Sequence, residues 1–149
     1  MKKKGFDLKM KVAFFLIPKS EVICLTPKTT MRQALERMER QSFAAVPLVD
    51  DKGCYAGTIT EGDLLWKLKN TPNLDLGGME KITLKDITQH ATNKPVRIDS
   101  RIVDLLSLAS SQNFVPVVDD QGIFIGIVRR REIIEYCADL IKEKEAGRI

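Results

Sequence analysis

An α+β fold of two tandem β-α-β-β-α units, packed with pseudo-two-fold symmetry, is what the sequence predicts, and three observations predict it. The first is a duplication. Val46-Pro47-Leu48-Val49-Asp50-Asp51-Lys52-Gly53 recurs 69 residues later as Val115-Pro116-Val117-Val118-Asp119-Asp120-Gln121-Gly122, and Gly57 recurs as Gly126. The second is a buried helical stripe in each copy: Met31, Ala34, Leu35 and Met38 recur at an offset of 71 as Ile102, Leu105, Leu106 and Ala109. The third is the placement of turn residues, Thr26-Pro27 and a polar, Gly-bearing loop after each Val-Pro strand, which divides each copy at matching points.

In the first copy, Val22-Ile23-Cys24-Leu25 reads as a short strand, its β-branched residues ending at the Thr26-Pro27 breaker. Thr29 or Thr30 caps the helix that follows. Ala44 to Val49 is a short buried strand, Asp50-Asp51-Lys52-Gly53 a hairpin loop and Cys54 to Ile59 the returning strand. A second helix runs from about Glu61 to Lys69. The second copy repeats the order through 95–98, 101–112, 114–118, 123–128 and 131–144. Asn70 to Asn73 and Gly77-Gly78 mark a loop, and Thr83 to Ile87 a short helical lead-in. The expected organisation is a basic tail over 1–10, repeat one over 11–70, a linker over 71–82, repeat two over 83–142 and a tail over 143–149. A copy of about 50 residues buries little surface by itself, so the halves are expected to pack sheet to sheet and leave equivalent clefts.

Composition excludes several classes. At 44% apolar and 30% charged, the chain is of the ordinary globular kind. Its three cysteines, Cys24, Cys54 and Cys137, are odd in number and far apart, which suits neither a disulfide framework nor a close-paired zinc site and points to the cytoplasm. The longest apolar run near the N-terminus, Val12 to Ile17, ends at Pro18-Lys19, so neither a secretory leader nor a membrane span is expected. The net charge of +4 comes from five lysines against one acid in residues 1–11; the remainder holds 19 basic and 19 acidic side chains. Met10 is an alternative natural start. Phe14-Phe15-Leu16 is expected to cover a sheet end or a partner chain.

Two turns carry the candidate chemistry. Thr60-Glu61-Gly62-Asp63 follows a strand and opens a helix, which is the spacing of a capping box. The same turn also presents amide groups and a positive dipole end that suit a phosphate. Its counterpart, Arg129-Arg130-Arg131-Glu132, places three guanidiniums at a helix N-terminus, against the macrodipole and without a Ser or Thr cap. Such a local violation is typical of functional positions, and guanidiniums bind phosphate in bidentate fashion. The alternative is that Arg130 and Arg131 pair with Glu132 or Glu135 on the surface.

The duplicated units, the Val-Pro-(Leu/Val)-Val-Asp hairpins and Gly57-Thr58-Ile59-Thr60-Glu61-Gly62-Asp63 together resemble the tandem CBS-domain pair, the Bateman module, over roughly residues 11–140. The resemblance is to stand-alone bacterial CBS-pair proteins that bind AMP, ATP or cyclic di-AMP. It implies a regulatory, non-catalytic homodimer that senses an adenine nucleotide (AMP, ADP, ATP or cyclic di-AMP) in the inter-repeat cleft and signals to a protein partner whose identity is unknown. No resident cofactor or metal is implied. By the same resemblance Asp63 accepts hydrogen bonds from both ribose hydroxyls beside Thr60, Arg129, Arg130 and Arg131 reach the phosphates, and the base lies against backbone near Val22, Ile23, Ala45 and Val46 or Val96, Phe114 and Val115. Arg129 stands where the family has Thr and Glu132 where it has Asp, so the two clefts are expected to be unequal.

Two other functions are weighed against this one. A nucleic-acid binder would use the lysine tail and Arg129 to Arg131, but the body is neutral and only 6% of residues are aromatic. A ligand-free interaction module would leave the clefts empty. His90, the single histidine, has no nucleophile motif around it and is read as a loop or surface residue. Asp50-Asp51 and Asp119-Asp120 are read as hairpin-turn residues. Apolar Leu64, Leu65, Trp66 and Leu68, with Ile133, Ile134, Cys137 and Leu140 in the second copy, exceed one core stripe and are candidates for a dimer interface.

Overall fold

The structure, a computed structural model, describes residues 11–147. The basic tail and the Met10 start lie outside them, as do the last two residues of the C-terminal tail. The elements in chain order are β1 Ile17–Pro18, α1 Met31–Gln41, β2 Ala45–Val49, β3 Tyr55–Thr60, α2 Glu61–Lys69, α3 Leu76–Met79, β4 Val96–Arg97, α4 Ile102–Ala109, β5 Phe114–Val118, β6 Phe124–Arg129 and α5 Arg130–Glu145, with single 3-10 turns at Val12–Phe15, Lys19–Glu21 and Leu84–Asp86. The second repeat shows the predicted order in full, and the first shows it without the opening strand.

The chain forms two compact units, and they are not the two repeats taken whole. One holds Ile23–Asn93; the other holds residues 11–22 together with residues 94–147. Each repeat is completed by the segment that leads into the other. Val12 and Phe15, at the start of the chain, are buried in a core with Val96, Ile102, Leu105, Val115, Val117, Val128 and Ile133. Leu84 and Ile87, in the lead-in that opens the second repeat, are buried in the core of the first with Leu25, Met31, Ala34, Met38, Val46, Leu48 and Ile59. At an offset of 72 the lead-ins correspond. Val12 N donates to Ser100 O (3.2 Å) and Leu84 N to Thr29 O (2.9 Å); Lys11 bridges Arg101 and Thr30 bridges Thr83.

The lead-ins differ in how they close their sheets. In the unit of the second repeat, four strands run in the order β1-β6-β5-β4, with Ile17 opposite Ile127 and Pro18 opposite Gly126. In the other unit the sheet is the β2-β3 hairpin, bridged in parallel by Leu25 alone. Its outer edge is met by a side chain: Gln89 Oε1 accepts from Thr58 N at 3.0 Å. Gly57 and Gly126 allow these approaches. A Cβ at Gly126 would lie 2.2 Å from Ile17 O, and one at Gly57 (φ +127°) 2.0 Å from Gln89 Oε1.

Local chemistry explains most element boundaries. Thr30, of the two candidate threonines, caps α1, accepting from Gln33 N while Gln33 Oε1 accepts from Thr30 N. Asp50 and Asp119 organise the hairpin loops: Asp50 Oδ1 accepts from Lys52 N and Cys54 N, and Asp119 Oδ1 from Gln121 N and Ile123 N. Two expectations change. The strand over 22–25 reduces to the single bridge at Leu25, because Leu25 is where the segment meets the hairpin, donating to Pro47 O and accepting from Val49 N. The loop around Gly77-Gly78 contains α3: Asp75 Oδ1 accepts from Gly78 N at 2.7 Å and Met79 is buried in the core, so capping and burial outweigh the low helix propensity of glycine. The apolar Phe15 covers the four-stranded sheet from within its own unit, while Phe14 is exposed.

Candidate functional site

The first candidate turn joins β3 to α2. Thr60 pairs with Ala45 in the hairpin, and Val46, buried, with Ile59. Thr60 Oγ1 accepts from Asp63 N (3.1 Å), and Asp63 Oδ2 accepts from Thr60 N (2.9 Å), which completes the capping box. Glu61 N is taken by Ala44 O at 2.9 Å.

Asp63 does more than cap. Its side chain is fully buried, and Oδ1 accepts both His90 N (2.9 Å) and His90 Nδ1 (2.7 Å). A carboxylate without exposed surface must have its oxygens satisfied, and here the donors come from the segment that leads into the second repeat. His90 itself is 55% exposed on its side chain. The single histidine, read from sequence as a loop or surface residue, is thus the principal partner of the candidate ribose-binding carboxylate. A cavity of about 410 Å³ adjoins the pair, lined also by Trp66, Lys67, Asn70, Asp86 and Thr88.

The second turn joins β6 to α5 and is built differently. Arg129 lies opposite Phe114, and Val115, fully buried, opposite Val128. Arg129 provides no side-chain cap. Its guanidinium instead grips Glu132 through Nε (2.9 Å) and Nη2, and those hydrogen bonds raise its pKa above the ordinary arginine value. Arg130 turns inward: Nε donates to Ala109 O and Gln112 O, both at 3.0 Å, and so satisfies carbonyls at the end of α4. Arg131 pairs with Glu135 one turn along the exposed face (3.0 Å). The surface pairing weighed for Arg130 and Arg131 is therefore present for Arg131; Glu132 is taken by Arg129 instead, and Arg130 has an inward role that the sequence did not signal.

The remaining candidates divide by unit. Val22 follows the 3-10 turn, its N–H donating to Lys19 O, and Ile23 packs partly buried against the core of the first repeat. Val96 opens β4 opposite Val117. The side chains of Val46, Val96 and Val115 are core residues, with Phe114 also buried. Sequence reasoning missed Gln112, which is 5% exposed: its Oε1 accepts from Lys94 N (2.8 Å) and its Nε2 donates to Lys94 O and Phe114 O. It missed His90 as well, whose partner is visible only once the two lead-ins are aligned.

Each unit also carries an apolar groove between its helices. In the first repeat the groove, about 610 Å³, lies between α1 and α2 and is lined by Leu35, Met38, Leu64, Leu65 and Leu68. In the second, about 490 Å³, it is lined by the counterparts Leu106, Ala109, Ile133, Ile134 and Cys137. Leu65 and Ile134 are more than half exposed. No group of side chains suited to a metal is found among the described residues, and no helix there is long and apolar enough to cross a membrane.

Comparison with known proteins agrees with this architecture. The CBS domain model matches residues 16–70 and again 84–139. A CBS domain-containing protein of Dictyostelium discoideum is 27% identical over 139 residues, covering 89% of this chain and 96% of its own. Among solved structures, CbpB in complex with c-di-AMP superposes with a TM-score of 0.80 at 19% identity, covering 94% of this chain and 92% of its own. CBSX2 in complex with AMP gives a TM-score of 0.68 at 24% identity, covering 87% of this chain and 97% of its own. With the family model matched twice, once on each β-α-β-β-α unit, the chain belongs to the CBS domain family as a tandem pair.

Proposed function

We propose that the protein is a non-catalytic regulatory sensor that binds an adenine nucleotide at the turn between β3 and α2 and reports the bound state to a partner protein. The observation that carries this reading is Asp63: a fully buried carboxylate at the start of α2, held by hydrogen-bond donors, at the end of the hairpin strand β3. In this reading its oxygens receive ribose hydroxyls, Thr60 and the α2 amides lie beside the sugar, and Arg131 is the guanidinium available to phosphate. The likeness to CbpB with c-di-AMP and to CBSX2 with AMP supports the ligand class. Of the two, the arginine-rich α5 terminus favours a ligand carrying two or more phosphates. Arg131 is free to change partners at small cost, because an ion pair this exposed contributes roughly 0–1 kcal/mol.

The sensor works as a cytoplasmic homodimer in this account, with the two helical grooves and the exposed Leu65, Leu68, Ile134 and Ile141 as the self-associating faces. Ligand shifts the module only through different affinity for two arrangements. Calorimetric titration of ligand-free protein with AMP, ADP, ATP and cyclic di-AMP tests the reading: saturable binding of at least one is expected. Light scattering should give twice the chain mass.

A further inference from the structure

We propose that His90 is a latch on the nucleotide site: its imidazole occupies the acceptor position on Asp63 that a ribose needs, and ligand binds by displacing it. This inference rests on the assignment of Asp63 to the ribose and adds its regulation.

The accounting is one of lone pairs. An ionised carboxylate offers about four acceptor positions, two on each oxygen. On Asp63, Thr60 N takes one position of Oδ2, while His90 N and His90 Nδ1 take both positions of Oδ1. One acceptor position is left, whereas a ribose diol held through both hydroxyls requires two. With the side chain fully buried, no rotation of Asp63 into solvent supplies another.

Movement of one ring supplies it. The Nδ1 atom of His90 must be the donor in its 2.7 Å contact, since a carboxylate only accepts. The His90 side chain is half exposed, so it can swing into solvent without disturbing the core. The backbone bond from His90 N can remain, and so can the capping bond from Thr60 N. Oδ1 and Oδ2 then each present one free position, the pair that two vicinal hydroxyls occupy. The latch belongs to the first repeat alone, because Glu132, at the matching place in the second, is held by Arg129.

A ligand that must displace the ring binds with an apparent affinity reduced by the fraction of time the latch is open. A charge-assisted hydrogen bond keeps it closed most of the time, which weakens binding about tenfold. His90→Ala is therefore expected to bind cyclic di-AMP or AMP about tenfold more tightly than the wild type in calorimetric titration. His90→Asn, whose side-chain N–H₂ reaches the same oxygen, should stay near the wild type, and thermal unfolding of both variants verifies that they are folded. Because the chain has one histidine, its imidazole NMR signals are unambiguous, and nucleotide should shift them in the wild type. Equal or weaker binding by folded His90→Ala, or His90 signals unmoved at saturation, overturns the latch and leaves the nucleotide assignment standing. Absence of binding by wild type and both variants overturns the nucleotide assignment, and the latch with it.

Discussion

The turn after β3 and the turn after β6 occupy the same place in the two repeats, yet they satisfy opposite chemistry. In the first, the short side chain of Asp63 reaches back to Thr60 N, is buried completely, and depends on donors from a distant segment. In the second, the longer Glu132 reaches the Arg129 guanidinium, remains 27% exposed on its side chain, and leaves α5 without a side-chain cap. Duplication preserved the hairpin, the helix and the glycine before the turn. It did not preserve the surroundings of the acid: in one copy the carboxylate is buried against backbone N–H groups and the His90 ring, in the other it pairs with a guanidinium nearer the surface.

The same asymmetry governs the glycines behind the turns, and substitutions there should have the largest effect. Gly126→Ala would set its Cβ against the backbone of Ile17, which cannot withdraw without breaking β1 from β6, so a loss of about 3 kcal/mol is expected in urea denaturation. At Gly57 the obstacle is the end of the Gln89 side chain, which can rotate away. There the cost is the positive φ, about 1–2 kcal/mol, with loss of the Gln89 contact to Thr58. Equal losses at the two glycines would break the distinction between a strand-closed and a side-chain-closed sheet.

Arginine substitutions sharpen the comparison at the helix starts. Arg130→Ala should cost about 1–2 kcal/mol in the same measurement, because Ala109 O and Gln112 O lose a charged donor. Arg131→Ala should change stability by less than about 0.5 kcal/mol, its ion pair being exposed, while weakening the binding of a two-phosphate ligand. The smallest difference concerns the caps. Thr60→Ala removes a true cap, worth about 1 kcal/mol. Arg129→Ala removes only a half-exposed ion pair, worth roughly 0–1 kcal/mol, and differential thermal unfolding of the two variants should order them accordingly.

Much of this was legible in the sequence because the signals were local. The helix over Glu61 to Lys69 and the strand over 114–118 emerge as predicted, and Thr60 with Asp63 forms the capping box that its spacing announces. What escaped was decided by residues far apart in the chain. His90 lies 27 positions from Asp63, and nothing in the sequence around it shows that the second lead-in returns to the first repeat. Arg130 read as a phosphate ligand or a surface ion pair because its carbonyl partners, at Ala109 and Gln112, lie 18 to 21 positions away, beside the end of another helix. The strand over 22–25 failed for the same reason: its β propensity was real, but tertiary pairing engaged Leu25 only.

The proposal stands or falls on Asp63 as the ribose-binding group. It is tested most directly by calorimetric titration of cyclic di-AMP and AMP into the wild type, Asp63→Ala and Glu132→Ala, each verified as folded. The account predicts saturable binding of at least one nucleotide by the wild type, abolished in Asp63→Ala and retained in Glu132→Ala. Binding that survives in Asp63→Ala and is lost in Glu132→Ala would contradict it.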